Sequence, residues 1–103
     1  MSKKKGTDRK EDVKVLERFK KPRKFRVILH NDNYTPRGFV VQILEQVFRL
    51  PRATASGVMM LVHTTGKGVI ASYSQEVAET KSNQANKIAR DYGYPLTTTI
   101  EPE

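Results

Sequence analysis

The chain has 103 residues, 37% of them hydrophobic, and a formal net charge of +8. That length suits one domain with a single modest core, and the absence of cysteine excludes disulfides and thiolate metal sites. No apolar run reaches the roughly 18 residues of a membrane span, and the N-terminal lysines lead into no apolar segment of a secretory signal, so the expectation is a soluble cytoplasmic protein.

The charge is unevenly placed. Residues 1–26 hold twelve Lys and Arg against four acidic side chains, whereas residues 27–103 hold seven of each. The whole excess therefore sits at the N-terminus and the remainder is neutral, which is not the pattern of a basic groove running over a folded surface. Residues 1–24 are too poor in apolar groups to offset the entropy of ordering and read as a flexible basic arm, closed by Pro22, ahead of a folded domain over 25–103.

Phe25–His30 alternates and is β-branched in its middle, predicting a strand. Thr35-Pro36 reads as a helix start, with Thr as N-cap and Pro at the first helical position. Phe39, Val40, Ile43, Leu44, Val47 and Phe48 then recur at helical spacing. Leu50-Pro51 ends that helix and opens a second over about Arg52–His63, with Ala55, Val58, Met59 and Val62 on one face. The two glycines of "TTGKG" predict a turn, and residues 69–74, "VIASYS", a second strand. Ser74 caps a third helix with Val77, Ala78, Ala85, Ile88, Ala89 and Tyr92 as its apolar positions. Gly93 fits just beyond the end of that helix, and Pro95 forbids its continuation. Residues 97–101, "TTTIE", predict a third strand. The outcome is an α+β domain, a three-stranded antiparallel sheet with three helices packed on one face, in the order β-α-α-β-α-β.

Little in this chain suggests catalysis. "GKG" at 66–68 lacks the spacing of a phosphate-binding loop, and no serine sits in a strand-to-helix elbow. His30, Asp32 and His63 match no metal-ligand spacing, His30 reads as an exposed or capping residue, and no cofactor is expected. The chemistry that remains is "HNDNYTP", residues 30–36, where a strand hands over to a helix. Asn and Asp are standard turn formers, and by composition alone that reading comes first. The balance shifts because His63 ends an otherwise apolar helix face, and a His beside a carboxylate and an amide can hold a cationic donor such as an amino group.

"RVILHNDNYTPRGFV", "MMLVHTTGKG", "EVAETK" and "YPL" together resemble the ClpS family of adaptors, which hand N-degron substrates to the AAA+ unfoldases ClpA or ClpC. The similarity runs over about residues 25–101, and a variable N-terminal extension is itself a family trait. The resemblance implies that Asn31, Asp32 and His63, with Asn33 beside them, grip the α-amino group of a substrate's first residue. It implies a side-chain pocket of Val40, Met59, Val62 and Leu96, with Thr35 and Pro36 at its entrance and Arg37 on its rim. Tyr34, Glu76 and Lys81 would dock on the unfoldase's N-terminal domain, and the arm would be the segment the unfoldase engages during delivery. The implied substrates carry Leu, Phe, Tyr or Trp at a free N-terminus, for degradation by ClpP.

Such a site is physically reasonable. An α-amino group with a pKa near ~7.7–8.0 is mostly cationic at neutral pH. A carboxylate, an amide oxygen and an imidazole nitrogen can accept its three protons at about 1.5–3 kcal/mol each before desolvation. Burying a large apolar side chain adds roughly 1.5–3 kcal/mol, and Met59 suits several shapes because it repacks easily.

Two positions depart from the family pattern. Asn33 stands where an aspartate is usual, which removes a negative charge. Arg37 replaces a methionine that commonly gates the pocket, and its charge disfavours a cationic neighbour while its stem can still form the rim. Both predict the altered or narrower specificity of a divergent paralogue. The competing reading is a small nucleic-acid-associated protein that binds phosphates through the basic arm. The neutral body offers no base-reading element to support it.

Overall fold

Three buried residues in a row, Val27, Ile28 and Leu29, mark their strand as the centre of a sheet. The computed structural model describes residues 23–103 and bears this out. β1 (Lys24–His30) pairs antiparallel on one side with β2 (Lys67–Ser74) and on the other with β3 (Thr97–Pro102), giving the order β2-β1-β3. Between the strands come α1 (Arg37–Gln46), α2 (Arg52–Thr65) and, after β2, α3 (Gln75–Asp91). The predicted β-α-α-β-α-β order holds. Residues 1–22 of the expected arm 1–24 lie outside the described residues, and β1 begins at Lys24, one residue before the expected boundary.

The core lies between the sheet and the helices. Val27 and Leu29 of β1 and Ile70 of β2 pack with Ile43, Leu44, Val47 and Phe48, with Ala55 and Val62 of α2, and with the alanines of α3. α3 buries Ala78, Ser82, Ala85 and Ala89, a stripe of small side chains that lets it lie close against all three strands. The side-chain oxygen of Asn86 accepts from the Thr98 N–H at 2.8 Å, and its amide donates to the Thr98 carbonyl at 3.1 Å. Those backbone groups face away from β1, so α3 satisfies an edge that would otherwise stay open.

Several local details differ from expectation. Thr35 does not cap α1; its hydroxyl donates to Asp32, the flanking residue is Pro36 with extended ψ of 140°, and the helix starts at Arg37. α1 already ends at Gln46, where Arg49 turns the chain at a positive φ of 59°. Only Gly66 of the predicted glycine turn is in one, at φ 97°; Gly68 is buried inside β2, where a Cβ would lie 3.1 Å from a Val62 methyl. Ile70 is an extra residue in β2, since Val27 faces Ala71 while Ile28 faces Val69, and this bulge turns both Ile70 and Ala71 toward the helices.

α3 is capped as expected. Ser74 Oγ accepts from Val77 N–H, and at the far end Gly93 (φ 80°) donates to Arg90 while Tyr94 donates to Ala89, the paired bonds of a Schellman motif. Val77 and Tyr92, both read as apolar positions of α3, are 42% and 68% exposed. Tyr92 instead lays its ring against Phe39, 5.2 Å between centroids. Among the described residues no helix is long and apolar enough to cross a membrane.

Candidate functional site

The carboxyl end of β1, the loop after it, the start of α1 and the last turn of α2 converge on one cavity of about 220 Å³. Asp32 shapes the loop. Its Oδ1 accepts from the backbone N–H groups of Tyr34 (2.8 Å) and Thr35 (2.7 Å), and its Oδ2 accepts from the Thr35 hydroxyl (2.9 Å). Three bonds leave acceptor capacity on the carboxylate. Asp32 is thus both the turn former that composition favoured and a negative charge at the cavity.

A second link joins the loop to α2. Gly66 closes that helix in the left-handed region and donates to the Val62 carbonyl at 2.9 Å. The carbonyl of Gly66 in turn accepts the Asn31 N–H at 2.9 Å. Asn31 and His63, far apart in sequence, are brought to the same rim by this one-turn bridge. No hydrogen bond among the described residues engages the side-chain amide of Asn31 or Asn33, and both are exposed.

The wall of the cavity is apolar. Leu29, Val40, Met59, Val62 and Leu96 line it, and Leu29, Val62 and Leu96 are also core residues at 3%, 4% and 1% exposure. At the rim, Arg37 Nη2 donates to His63 Nε2 at 2.8 Å. A guanidinium has no acceptor, so this bond requires a lone pair on Nε2 and puts the imidazole proton on Nδ1. The arrangement is suited to a cationic donor attached to a single apolar side chain, since the volume lies below the range of drug-sized pockets.

Of the residues singled out from the sequence, Asn31, Asp32, Asn33, Thr35, Arg37, Val40, Met59, Val62, His63 and Leu96 all line the cavity. Pro36, expected at the entrance, does not; its extended backbone leaves it exposed outside, setting the start of α1. Leu29 and His30 line it as well; Leu29 was not singled out, and His30 was read only as an exposed or capping residue. Their position at the end of a central strand, beside the loop, was the available signal. His30 is half-buried and its Nε2 lies 2.7 Å from Thr99 Oγ1. His30, His63 and Asp32 thus have separate partners, and among the described residues no group of three His, Cys, Asp or Glu side chains is placed to hold a metal ion.

Tyr34 is 81% exposed, so its ring is not core. Glu76 and Lys81 border a shallow cleft on α3 with Val77, Thr80 and Gln84, which Tyr34 does not line. Lys81 also has intramolecular work. Its Nζ donates to the Val47 carbonyl at 2.8 Å, just past the end of α1, and lies 5.5 Å from the Tyr73 ring centroid. Burial pushes the Tyr73 phenol above its ordinary pKa.

Known proteins resemble this chain in sequence and in fold. The family model "ATP-dependent Clp protease adaptor protein ClpS" matches residues 20–99. The chain is 50% identical over 82 residues to an ATP-dependent Clp protease adapter protein ClpS of Desulforapulum autotrophicum, covering 80% of this chain and 79% of that one. It is 40% identical over 96 residues to an ATP-dependent Clp protease adapter protein ClpS 2 of Agrobacterium fabrum, covering 93% of each. Among solved structures, Agrobacterium tumefaciens ClpS2 bound to L-phenylalaninamide superposes with a TM-score of 0.78 at 41% identity, over 80% of this chain and 99% of that chain.

Proposed function

The chain belongs to the ClpS family of Clp protease adaptors, and from that premise we propose that it binds free N-termini beginning with Leu, Phe, Tyr or Trp and delivers their proteins to a ClpA- or ClpC-type AAA+ unfoldase for degradation by ClpP. The observation that carries this reading is the cavity itself, apolar walls with Asn31, Asp32 and His63 together on its rim. In this reading the α-amino group donates to the Asp32 carboxylate, the Asn31 amide oxygen and His63 Nε2, with Asn33 beside them. The first side chain enters between Val40, Met59, Val62 and Leu96. Phenylalaninamide, the ligand of the A. tumefaciens relative, has the same two parts, a free α-amino group and one large apolar side chain.

The relatives are named as adaptors, and we assign no catalytic step to this chain. Tyr34 and the Glu76–Lys81 cleft are the surfaces we assign to the unfoldase, and the bacterial cytoplasm is the setting. The test is fluorescence anisotropy with a labelled peptide beginning in free Phe, beside its N-acetylated twin. Micromolar or tighter binding of the free peptide is expected, with loss on acetylation, which removes the charge and two donors. Equal binding of both forms would refute the amine site.

A further inference from the structure

Arg37 spans the mouth of the cavity from the first residue of α1 to the last turn of α2, where its Nη2 sits 2.8 Å from His63 Nε2. A guanidinium only donates, so it consumes the lone pair on Nε2 that a bound ammonium needs. Two cations cannot share that nitrogen, and Arg37 has to leave before an α-amino group arrives. Both side chains are exposed, so the bond between them is weak and displaceable.

Once displaced, the guanidinium needs another acceptor. Asp32 is not free for it, since three of its acceptor sites hold Tyr34 and Thr35 and the remaining capacity is taken by the α-amino group in this reading. With the first side chain inserted toward the buried Val62 and Leu96, the rest of the ligand has to leave across the exposed rim that carries Arg37. The second residue is the nearest part of it, about 3.8 Å onward from Cα to Cα. A carboxylate there is a better partner than a neutral imidazole nitrogen, because both members of the pair are charged and the fork of the guanidinium fits it. A Lys or Arg there meets a like charge.

We propose that Arg37 is a displaceable stopper on the His63 imidazole, and that it makes the site select N-termini whose second residue is acidic. The proposal rests on the reading of the cavity as an N-terminus site. The test uses the full chain and three labelled peptides alike except for their first two residues, Phe-Glu, Phe-Ala and Phe-Lys, at low salt, with the protein unaltered and as Arg37→Met.

The unaltered protein is expected to rank them Glu, Ala, Lys, with about fivefold between the ends, the size of one exposed charge pair. Added salt should compress the ranking. In Arg37→Met it should vanish, and the Phe-Ala peptide should bind more tightly than to the unaltered protein because nothing occupies His63. Equal affinities in the unaltered protein, or a ranking that survives Arg37→Met, would overturn the stopper while leaving Phe recognition intact. If none of the three free peptides binds either protein, the N-terminus reading fails and the stopper with it.

Discussion

Asp32 has two tasks that one pair of substitutions can separate. In Asp32→Ala the loop loses all three bonds. The exposed Tyr34 N–H finds water, but the Thr35 N–H and hydroxyl are partly buried, and leaving them without an acceptor costs roughly 1–3 kcal/mol. About 2 kcal/mol in a domain of this size lowers Tm by roughly 10 °C. Asp32→Asn is different. The amide oxygen still accepts both N–H groups, the amide nitrogen can donate to Thr35 Oγ1, and what remains is the lost charge assistance, below about 1 kcal/mol. Both variants lack the carboxylate, so each should bind a free-Phe peptide about tenfold more weakly or worse, the loss expected when a charge-assisted bond becomes neutral or disappears. Thermal melts beside peptide anisotropy read the two tasks. Wild-type affinity in Asp32→Asn would refute the carboxylate as the amine's partner, and an unchanged Tm in Asp32→Ala would refute its hold on the loop.

Gly66→Ala places a side chain in open space, so its cost is the left-handed backbone alone, about 1–2 kcal/mol in a chemical melt. Because the Gly66 carbonyl holds Asn31, peptide affinity should fall as well; normal affinity in the destabilised variant would show that Asn31 is placed some other way. Lys81→Ala should lose about 1 kcal/mol through its bond to Val47 and its charge at the end of α1. Glu76→Ala, on the exposed first turn of α3, should leave Tm within a degree or two and weaken co-sedimentation with an unfoldase N-terminal domain. A Lys81→Ala protein that melts normally would shift that lysine's role wholly to docking.

The elements that could be read from the sequence were those set by local rules. Apolar spacing predicted the helices, Ser74 and Gly93 marked the ends of α3, and strand alternation marked β1, because each signal lies within a turn or two of its effect. Errors arose where a side chain answers to something distant. Tyr92 satisfies the helical period, but Phe39 meets it at the surface and not inside. Gly68 looks like turn chemistry, yet it is small because α2 crosses β2 there and Val62 fills the space. Thr35 is a good cap by composition, but its hydroxyl is held by Asp32, three residues upstream, and no side chain caps α1. In the cavity, the polar cluster and the apolar wall were legible through the resemblance. The Arg37–His63 bond was not, since nothing local relates residues 26 positions apart.

Leu29, Val62 and Leu96 belong at once to the core and to the cavity wall, while Val40 and Met59 are half-buried and Arg37 is exposed. The cavity therefore has a fixed floor and an adjustable rim. Trimming a floor residue empties part of the core, at about 2–5 kcal/mol for a Leu, so drift in ligand preference by that route ends in an unfolded protein. Exchange at Arg37 touches little else, whereas Val40 and Met59 also pack against the core. In the binding reading proposed above, a lineage that copies this domain can thus diverge most freely in what it recognises through position 37, while its stability stays where it was. The floor sets the limit on how large any accepted side chain can become.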